Sequence, residues 1–453
     1  MTAIRAEFAA EVDRLAELAT RSAGVTGAGL DALEPAIRTA MTAVGARLLG
    51  DLLSLDAGYR GPRVDCGAGH QAGFVSYRVK TIDTVLGPVP VRRAYYHCPA
   101  CRAGVVPRDV ELGVERTSMT PGLHAMVAHT ATVVPFAKAA GMLAELAGIR
   151  LSTKRVERAA EADGAAARAA TQAESAAILA GRVAPLPPAG DTRPDMLYIA
   201  IDGTGVPMRP AETAGRAGKG PDGRARTREV KLACLFTQTS RDAADHPVRD
   251  PDSSTYLASF EPAEPFGALV AAEARRRGAE RIRQLLVLGD GAPWIWKLAT
   301  TRFPEATQIV DLYHAREHIH DLADHLAFIV YDPAAWLAER LADLDAGDIA
   351  AIIHAARAYP LVGTKAKDLN TKIGYFETNA ERMRYAYFRD LGMFVGSGTV
   401  EAGCKSVIGA RMKQSGMRWT IHGADAISHL RCQDASDRWD QIWTMIHNQT
   451  NTA

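Results

Sequence analysis

The fold of this 453-residue chain is decided by one stretch, Met196–Pro207, with the sequence MLYIAIDGTGVP. Residues 197–201 form an apolar run too short for a helix, which predicts a buried strand. Asp202 and Gly203 end the predicted strand. A carboxylate at the exit of a buried strand is costly to desolvate unless a partner, above all a metal ion, compensates it. A plain Asp-Gly turn is the alternative interpretation.

The same pattern recurs further along the chain. Residues 282–288 (IRQLLVL) are another apolar run, and Gly289-Asp290-Gly291 follows them. Because sites in open α/β sheets gather where strands end, Asp202 and Asp290 converge if their strands are neighbours. Glu401 begins a predicted helix just after Gly396-Ser397-Gly398. Two aspartates and a glutamate suit a pair of magnesium ions, which activate a water or hydroxyl and stabilise the leaving oxygen of a phosphodiester.

Several longer segments carry a resemblance to a known family. They read IDGTGVPM, TREVKLACLFTQT, VRDPDSSTYLASFE, LGDGAPWIWKLA, IVDLYHAREHI, AERMRYAYFRDLGMFVGSGTVEAGCKSVIGARMKQSGMRW and GADAISHLRC. In this order they resemble the DDE transposases of bacterial insertion sequences, and specifically the ISKra-type ("Kra-four") family, which is related to Mutator-like transposases. The likeness covers residues 60–445 and is densest after Asp195.

The resemblance implies a fold and a site. The family's acidic triad falls on Asp202, Asp290 and Glu401, which would bind two Mg²⁺ ions, with Mn²⁺ as a substitute. Asp311 and His314 match an Asp-x2-His pair that supports the active site in Mutator-related enzymes. The implied fold class is α/β, a ribonuclease-H-like core with a mixed sheet flanked by helices and an α-helical insertion.

The part of the chain before the core shows a different character. Cys66-x3-His70 and Cys98-x2-Cys101 flank two predicted strands and together make a candidate tetrahedral zinc site of the zinc-ribbon kind. Reduced structural thiols beside a surface histidine are the alternative. Further on, a predicted helix, Gly148 and a basic helix beginning near Ser152 fit a helix-turn-helix, against ordinary helical packing. Its candidate DNA contacts are Lys154, Arg155 and Arg158.

These patterns predict a division of the chain into seven segments. They are a helical region (1–57, with Ile4, Phe8, Val12, Leu15 and Leu18 at helical spacing), a zinc-ribbon-like module (58–110), a helix-turn-helix-like DNA-binding region (111–181), a Pro-rich linker (182–194), the first part of the core (195–320), a helical insertion (321–390) and the last part of the core with the Glu401 helix and a C-terminal helix (391–453).

Charge and cysteine usage set further bounds. The net charge of +1 excludes a global polycation, but basic side chains cluster locally beside the proposed site. The candidate phosphate contacts are Arg224, Arg226, Arg228, Lys405, Arg411 and Lys413. Six cysteines in so long a chain do not make a disulfide scaffold, and the sequence lacks a membrane-length apolar run and a signal peptide. We therefore expect a cytoplasmic bacterial protein that is nucleoid-associated when bound to DNA.

The function expected from the sequence is a DNA transposase that cleaves insertion-sequence ends and transfers the strand to target DNA. Its partners would be double-stranded DNA and further copies of the chain, in a homodimer or larger synaptic assembly, because two ends are joined in one event. A nuclease or resolvase without strand transfer is one alternative, and a non-catalytic DNA-binding protein is another. The His314–His318 segment does not fit a zinc peptidase, because the glutamate of His-Glu-x2-His is misplaced.

Overall fold

A computed structural model describes residues 30–183, 194–218 and 222–452, together with single positions between 6 and 17. The predicted helical positions Ile4, Phe8, Leu15 and Leu18, and most of the linker 182–194, lie outside the described residues. The chain divides into two compact units, a first unit of residues 1–163 and 446–453 and a second unit of residues 164–445. No helix in the described ranges is long and apolar enough to cross a bilayer.

The first unit combines a long helix, a small antiparallel sheet and a group of helices. Its elements are α1 (Leu30–Ser54), β1 (Arg63–Asp65), β2 (Gln71–Thr84), β3 (Gly87–Cys98), β4 (Ala103–Val105), α2 (Pro107–Glu111), α3 (Pro121–Val133), α4 (Phe136–Ala147) and the start of α5 (Thr153–Leu179). The sheet has the order β1-β2-β3-β4. Ala46, Leu49 and Leu53 of α1 pack on the cluster formed by Ile82, Val89, Val91 and Val114.

The second unit is built on a mixed sheet of five strands in the order β11-β10-β5-β6-β9. These strands are β5 (Met196–Pro207), β6 (Thr227–Gln238), β9 (Thr255–Ser259), β10 (Gln284–Gly289) and β11 (Thr307–Val310), and a small hairpin adds β7 (Ser240–Arg241) and β8 (Pro247–Val248). β5, β6 and β9 are antiparallel, whereas β10 and β11 run parallel to β5. The parallel strands require helical crossovers, so the sheet is flanked by helices.

The remaining helices follow in chain order and belong to the second unit, except that α16 enters the first unit at residue 446. They are α6 (Ala263–Arg276), α7 (Pro293–Arg302), α8 (Leu312–Leu326), α9 (Pro333–Ala346), α10 (Ile349–Arg357), α11 (Gly363–Asn379), α12 (Tyr385–Asp390), α13 (Gly398–Gly403), a π-helical segment (Cys404–Gly409), α14 (Ala410–Met412), α15 (Ile421–Ala435) and α16 (Trp439–Thr452). Short 3-10 turns lie at Pro210–Thr213, Ala279–Arg281 and Ala380–Arg382. The helices α9 to α12 fall within the predicted insertion.

One sequence-based expectation is corrected here. The predicted strand end at Asp202 is wrong, because β5 continues to Pro207 and pairs with β6 as far as Thr227. The neighbouring strand β10 does stop, at Gly289 opposite Ile201. Residues 203–207 of β5 and their partners 227–231 of β6 therefore form a two-stranded arm beyond the end of β10. An antiparallel partner supplies backbone hydrogen bonds that a local apolar pattern does not reveal.

Candidate active site

Asp202 and Asp290 lie side by side where β10 leaves the sheet. Gly289 is in register with Ile201, so the next residue on each parallel strand is one of the two acids. Adjacent strands lie about 4.8 Å apart, which places the two backbones next to each other. Both side chains are partly exposed. The sheet thus brings together two carboxylates that are 88 positions apart in the sequence (290 − 202).

Glu401 is carried by α13, which packs on the same face of the sheet as the Asp202 side chain. Asp202 is in register with Leu232, and residues directly opposite each other in an antiparallel pair point to the same face. A Cβ added to Gly403 would meet Leu232 Cδ2 at 3.2 Å, so α13 covers that face. Its tight approach depends on glycine at position 403.

The thiol of Cys404 joins this helix directly to the first acid. Cys404 Sγ donates to Asp202 Oδ2 at 3.2 Å. Burial, and then the charge of Asp202, raise the pKa of the Cys404 thiol well above its ordinary value, so the thiol keeps its proton. Cys404 lies three residues after Glu401, and residues at this spacing share a helix face. That spacing is the signal by which the sequence could have identified Cys404.

A buried aspartate fixes the loop that leads into α13. Asp311 is 1% exposed, and its Oδ1 accepts the backbone N–H of His314 at 2.7 Å, which caps α8. Its Oδ2 accepts the backbone N–H of Ser397. Ser397 Oγ in turn donates to Glu401 Oε1 at 3.2 Å. Asp311 therefore links the end of β11 to the start of the Glu401 helix.

The side chain of His314, the predicted partner of Asp311, lies near Glu317. His314 contacts Asp311 through its backbone, while its Nδ1 lies 3.7 Å from Glu317 Oε2. Its ring is also 6.2 Å from that of His318, centroid to centroid. The histidine side chain is 41% exposed and is accessible to a ligand.

Asp290 is positioned by a residue from the helical insertion. Tyr375 on α11 donates its hydroxyl to the carbonyl oxygen of Asp290 at 3.1 Å, and its ring stacks on His318 at 3.6 Å between centroids. Gly291 has φ +98°, and a Cβ there would lie 2.6 Å from the Tyr375 ring. Burial and the nearby Asp290 charge raise the pKa of Tyr375. No local sequence pattern predicts this contact across 85 positions.

Two of the three acids keep a carboxylate oxygen for a ligand, whereas Asp202 Oδ1 accepts the backbone N–H of Gly203 at 2.6 Å and Asp202 Oδ2 accepts the Cys404 thiol. Asp290 Oδ1 accepts the N–H of Ala292 and Glu401 Oε1 accepts Ser397, but no hydrogen bond from a described residue reaches Asp290 Oδ2 or Glu401 Oε2. Carboxylate oxygens are the ligands that Mg²⁺ prefers. The ligand atoms of the three acids do not all lie within 4.8 Å of one another. Ligands of different ions in a pair ~3.5–4 Å apart need not lie that close to one another, so this separation suits a pair of ions better than a single ion.

Basic side chains surround the arm formed by the ends of β5 and β6. Lys413 Nζ donates to Thr204 Oγ1, two residues beyond Asp202. One cavity of about 670 Å³ and another of about 910 Å³ flank the arm. Their cationic lining consists of Arg216, Arg226, Arg228 and Lys231 in the first, and Arg216, Arg224, Arg226 and Arg418 in the second. Lys405 is exposed on the π-helical segment.

Two of the predicted DNA contacts are engaged inside the protein. Arg411 is 1% exposed, with its guanidinium 5.1 Å from the ring centroid of Trp419, and burial lowers its pKa to about 10. A buried side chain cannot reach a phosphate, so Arg411 is removed from the candidate contacts. Arg155 forms an ion pair with Asp83 and donates to Ser118 Oγ at 2.7 Å. Lys154 and Arg158 remain exposed on α5.

The four predicted zinc ligands do come together in the first unit. Among the described residues, Cys66, His70, Cys98 and Cys101 place one ligand atom each within 4.8 Å of the others. Cys66 Sγ and Cys101 Sγ are 3.6 Å apart, and His70 Nδ1 is 3.2 Å from Cys101 Sγ. A tetrahedral zinc ion requires separations of about 3.5–3.8 Å between such atoms. The Cys66–Cys101 separation matches these values and the His70–Cys101 separation is shorter, so the group could hold a metal ion.

The fold of the second unit defines a broad structural class. The second unit is a mixed α/β structure, consistent with a ribonuclease-H-like core, and carries acidic residues where its central strands part. No protein-family model and no curated protein sequence matches the chain. One solved structure that is similar is the "Drosophila P element transposase strand transfer complex", at 11% identity and a TM-score of 0.24, covering 74% of this chain and 83% of that one. So distant a likeness is no argument for a shared activity.

Proposed function

We propose that the chain is a DDE-type DNA transposase, with Asp202, Asp290 and Glu401 as its metal-binding acids. The observation that carries this proposal is the register of β5 and β10, which sets Asp202 beside Asp290, with the Glu401 helix tied to Asp202 through Cys404. The motifs that resemble insertion-sequence transposases support it independently. The reaction would be hydrolysis at a transposon end, followed by attack of the freed 3′ hydroxyl on target DNA.

The residues of the site would have different roles in binding metal ions, positioning the acids and binding DNA. Two magnesium ions held by the three acids would supply Lewis-acid activation of the attacking hydroxyl and stabilisation of the leaving oxygen. Asp311 and Ser397 would hold Glu401 in place, and Tyr375 would hold the backbone of Asp290. Lys413, Arg224, Arg226 and Arg228 would bind phosphates of the DNA strand that crosses the arm.

The test removes one metal-binding charge at a time at nearly constant volume. Asp202→Asn, Asp290→Asn and Glu401→Gln should each lower Mg²⁺-dependent cleavage of a DNA end by at least ~100-fold, because each loses a carboxylate ligand. The measurement is the single-turnover cleavage rate on the terminal DNA of the element that encodes the chain. DNA binding, measured in Ca²⁺, should stay within about three-fold of wild type.

A matched acid provides the control. Asp345 is bound to Arg316 and Arg389 on the helical insertion, and Asp345→Asn leaves the three acids intact. It should cleave at close to the wild-type rate. Full cleavage by any of the three acid variants would remove that residue from the site. Cleavage without joining to a target would instead support a nuclease.

A further inference from the structure

Helix α1 carries an apolar stripe that the described chain leaves exposed, interrupted near its start by the exposed Glu34. Its members, with their exposed fractions, are Leu30 (72%), Ile37 (49%), Met41 (44%), Leu48 (39%), Leu52 (49%) and, just after the helix, Leu55 (82%). At 100° per residue, all six fall within an arc of about 60°, over a length of roughly 37 Å. Their successive spacings are seven, four, seven, four and three residues, which keep all six side chains on one face of an α-helix.

The stripe is distinct from the side by which α1 belongs to the first unit. Ala46, Leu49 and Leu53, roughly 120° round the helix, pack on the sheet. Gly45 and Gly50 approach it closely, since added Cβ atoms would lie 3.2 Å from Leu86 and 3.3 Å from Val89. Arg38 fixes the helix from another direction by donating to the carbonyl of Leu146 at 2.9 Å. The stripe is therefore held in one place by the unit that carries it.

We propose that a second copy of this chain covers the stripe, so that two α1 helices form the core of a homodimer. The exposures of the six side chains amount to roughly 500 Å² per helix, and two copies would remove about 1,000 Å² from water, the lower bound for a specific interface.

The proposed function explains why two copies would be needed, since two DNA ends are joined in one event. The stripe itself does not depend on that function. Leu146, at the end of α4, is 66% exposed, and its carbonyl oxygen accepts the Arg38 guanidinium.

The test measures the mass of the full chain without DNA. Light scattering across a concentration series should give twice 48.5 kDa for wild type. Met41→Glu with Leu48→Glu should weaken the dimer by at least ~100-fold, because two charges would enter an apolar interface. The matched control is Ala36→Glu with Ala43→Glu, two exposed positions of the same helix outside the stripe. This variant should remain dimeric, and circular dichroism should show that both variants are folded.

A photo-crosslink identifies the occupant. In Leu48→p-benzoyl-phenylalanine, a link to residues 30–55 in a product of twice the chain mass supports the proposal. A link to residues 1–29 within one chain would overturn it, as would a monomeric wild type or a dimer unchanged by the paired stripe substitutions. A wild-type chain that is dimeric but does not cleave the DNA end would count against the proposed function alone.

Discussion

At the scale of single residues, His429 connects burial to pH. The imidazole is 6% exposed, and its Nε2 lies 3.1 Å from Thr171 Oγ1. Burial, and then the charge of Arg168, lower the pKa of His429 from 6.5 to about 4. Between these values the unfolded chain binds a proton that the folded chain does not, so stability falls as the pH falls. The part contributed by the neutral ring is complete above pH 6.5 and is lost progressively toward pH 4.

The prediction concerns how the free energy of unfolding changes with pH in wild type and in His429→Gln. His429→Gln removes the titration, so its free energy of unfolding should fall less than that of wild type between pH 7.5 and 4.5, by roughly 2–3 kcal/mol. Denaturant unfolding at a series of pH values measures this. His246→Gln, at a histidine whose side chain is 75% exposed, should keep the wild-type pH dependence. Parallel curves for wild type and His429→Gln would contradict the assignment.

Single residues also show which parts of the site the sequence predicts. The sequence predicts Asp202 and Asp290 as site residues because an apolar run followed by an acid is a local pattern. It does not find Tyr375, whose contact with Asp290 depends on how the insertion folds back. It also selects Arg411 as a DNA contact, because a basic side chain in a basic segment does not reveal that its neighbours bury it. Local patterns thus predict which residues line the sheet, and long-range packing decides what supports them.

At the scale of elements, the seating of α13 on the sheet depends on one glycine. An alanine at position 403 would place its Cβ 2.7 Å from Tyr256 Cε1 on β9 and 3.2 Å from Leu232 Cδ2 on β6, so α13 has to move away from the sheet. Gly403→Ala should cost about 1–3 kcal/mol and lower DNA cleavage more than DNA binding, because Glu401 moves with the helix. Gly398→Ala in the same helix is the control, since an added Cβ there would meet no described atom within 4 Å. Equal cleavage by both variants would show that the helix tolerates the extra carbon.

The four-residue cluster of the first unit gives a second prediction at this scale. Protein purified without chelator should contain about one zinc ion per chain. His70→Gln should speed zinc loss to a chelator by at least ~10-fold and increase hydrogen exchange over residues 63–105. His97→Gln, at an exposed histidine beside Cys98 outside the cluster, should behave as wild type. Absence of zinc by elemental analysis would leave the cluster as reduced thiols.

At the scale of the whole molecule, the net charge of +1 conceals a local concentration of cations along the arm. Arg224→Gln with Arg226→Gln should reduce the slope of log K against log salt by roughly 1.8 on duplex DNA, because two phosphate contacts are lost. The control is Arg283→Gln with Arg357→Gln, whose side chains are 68% and 61% exposed and line neither cavity. Affinity across a salt series measures both slopes. Identical slopes would place the arm away from the DNA backbone.

The π-helical segment Cys404–Gly409 has a consequence for insertions and deletions. Its wider turn takes up more residues than an α-helical turn, and the chain after it is anchored by Arg411 and Trp419 in the interior. Removing one residue from this segment would return it to α-helical pitch, because the wider turn holds one residue more than an α-helical turn. The helix before the segment would keep its orientation, and Glu401 would still point toward Asp202. At this segment the chain therefore tolerates the loss of one residue without turning the third acid away from the site.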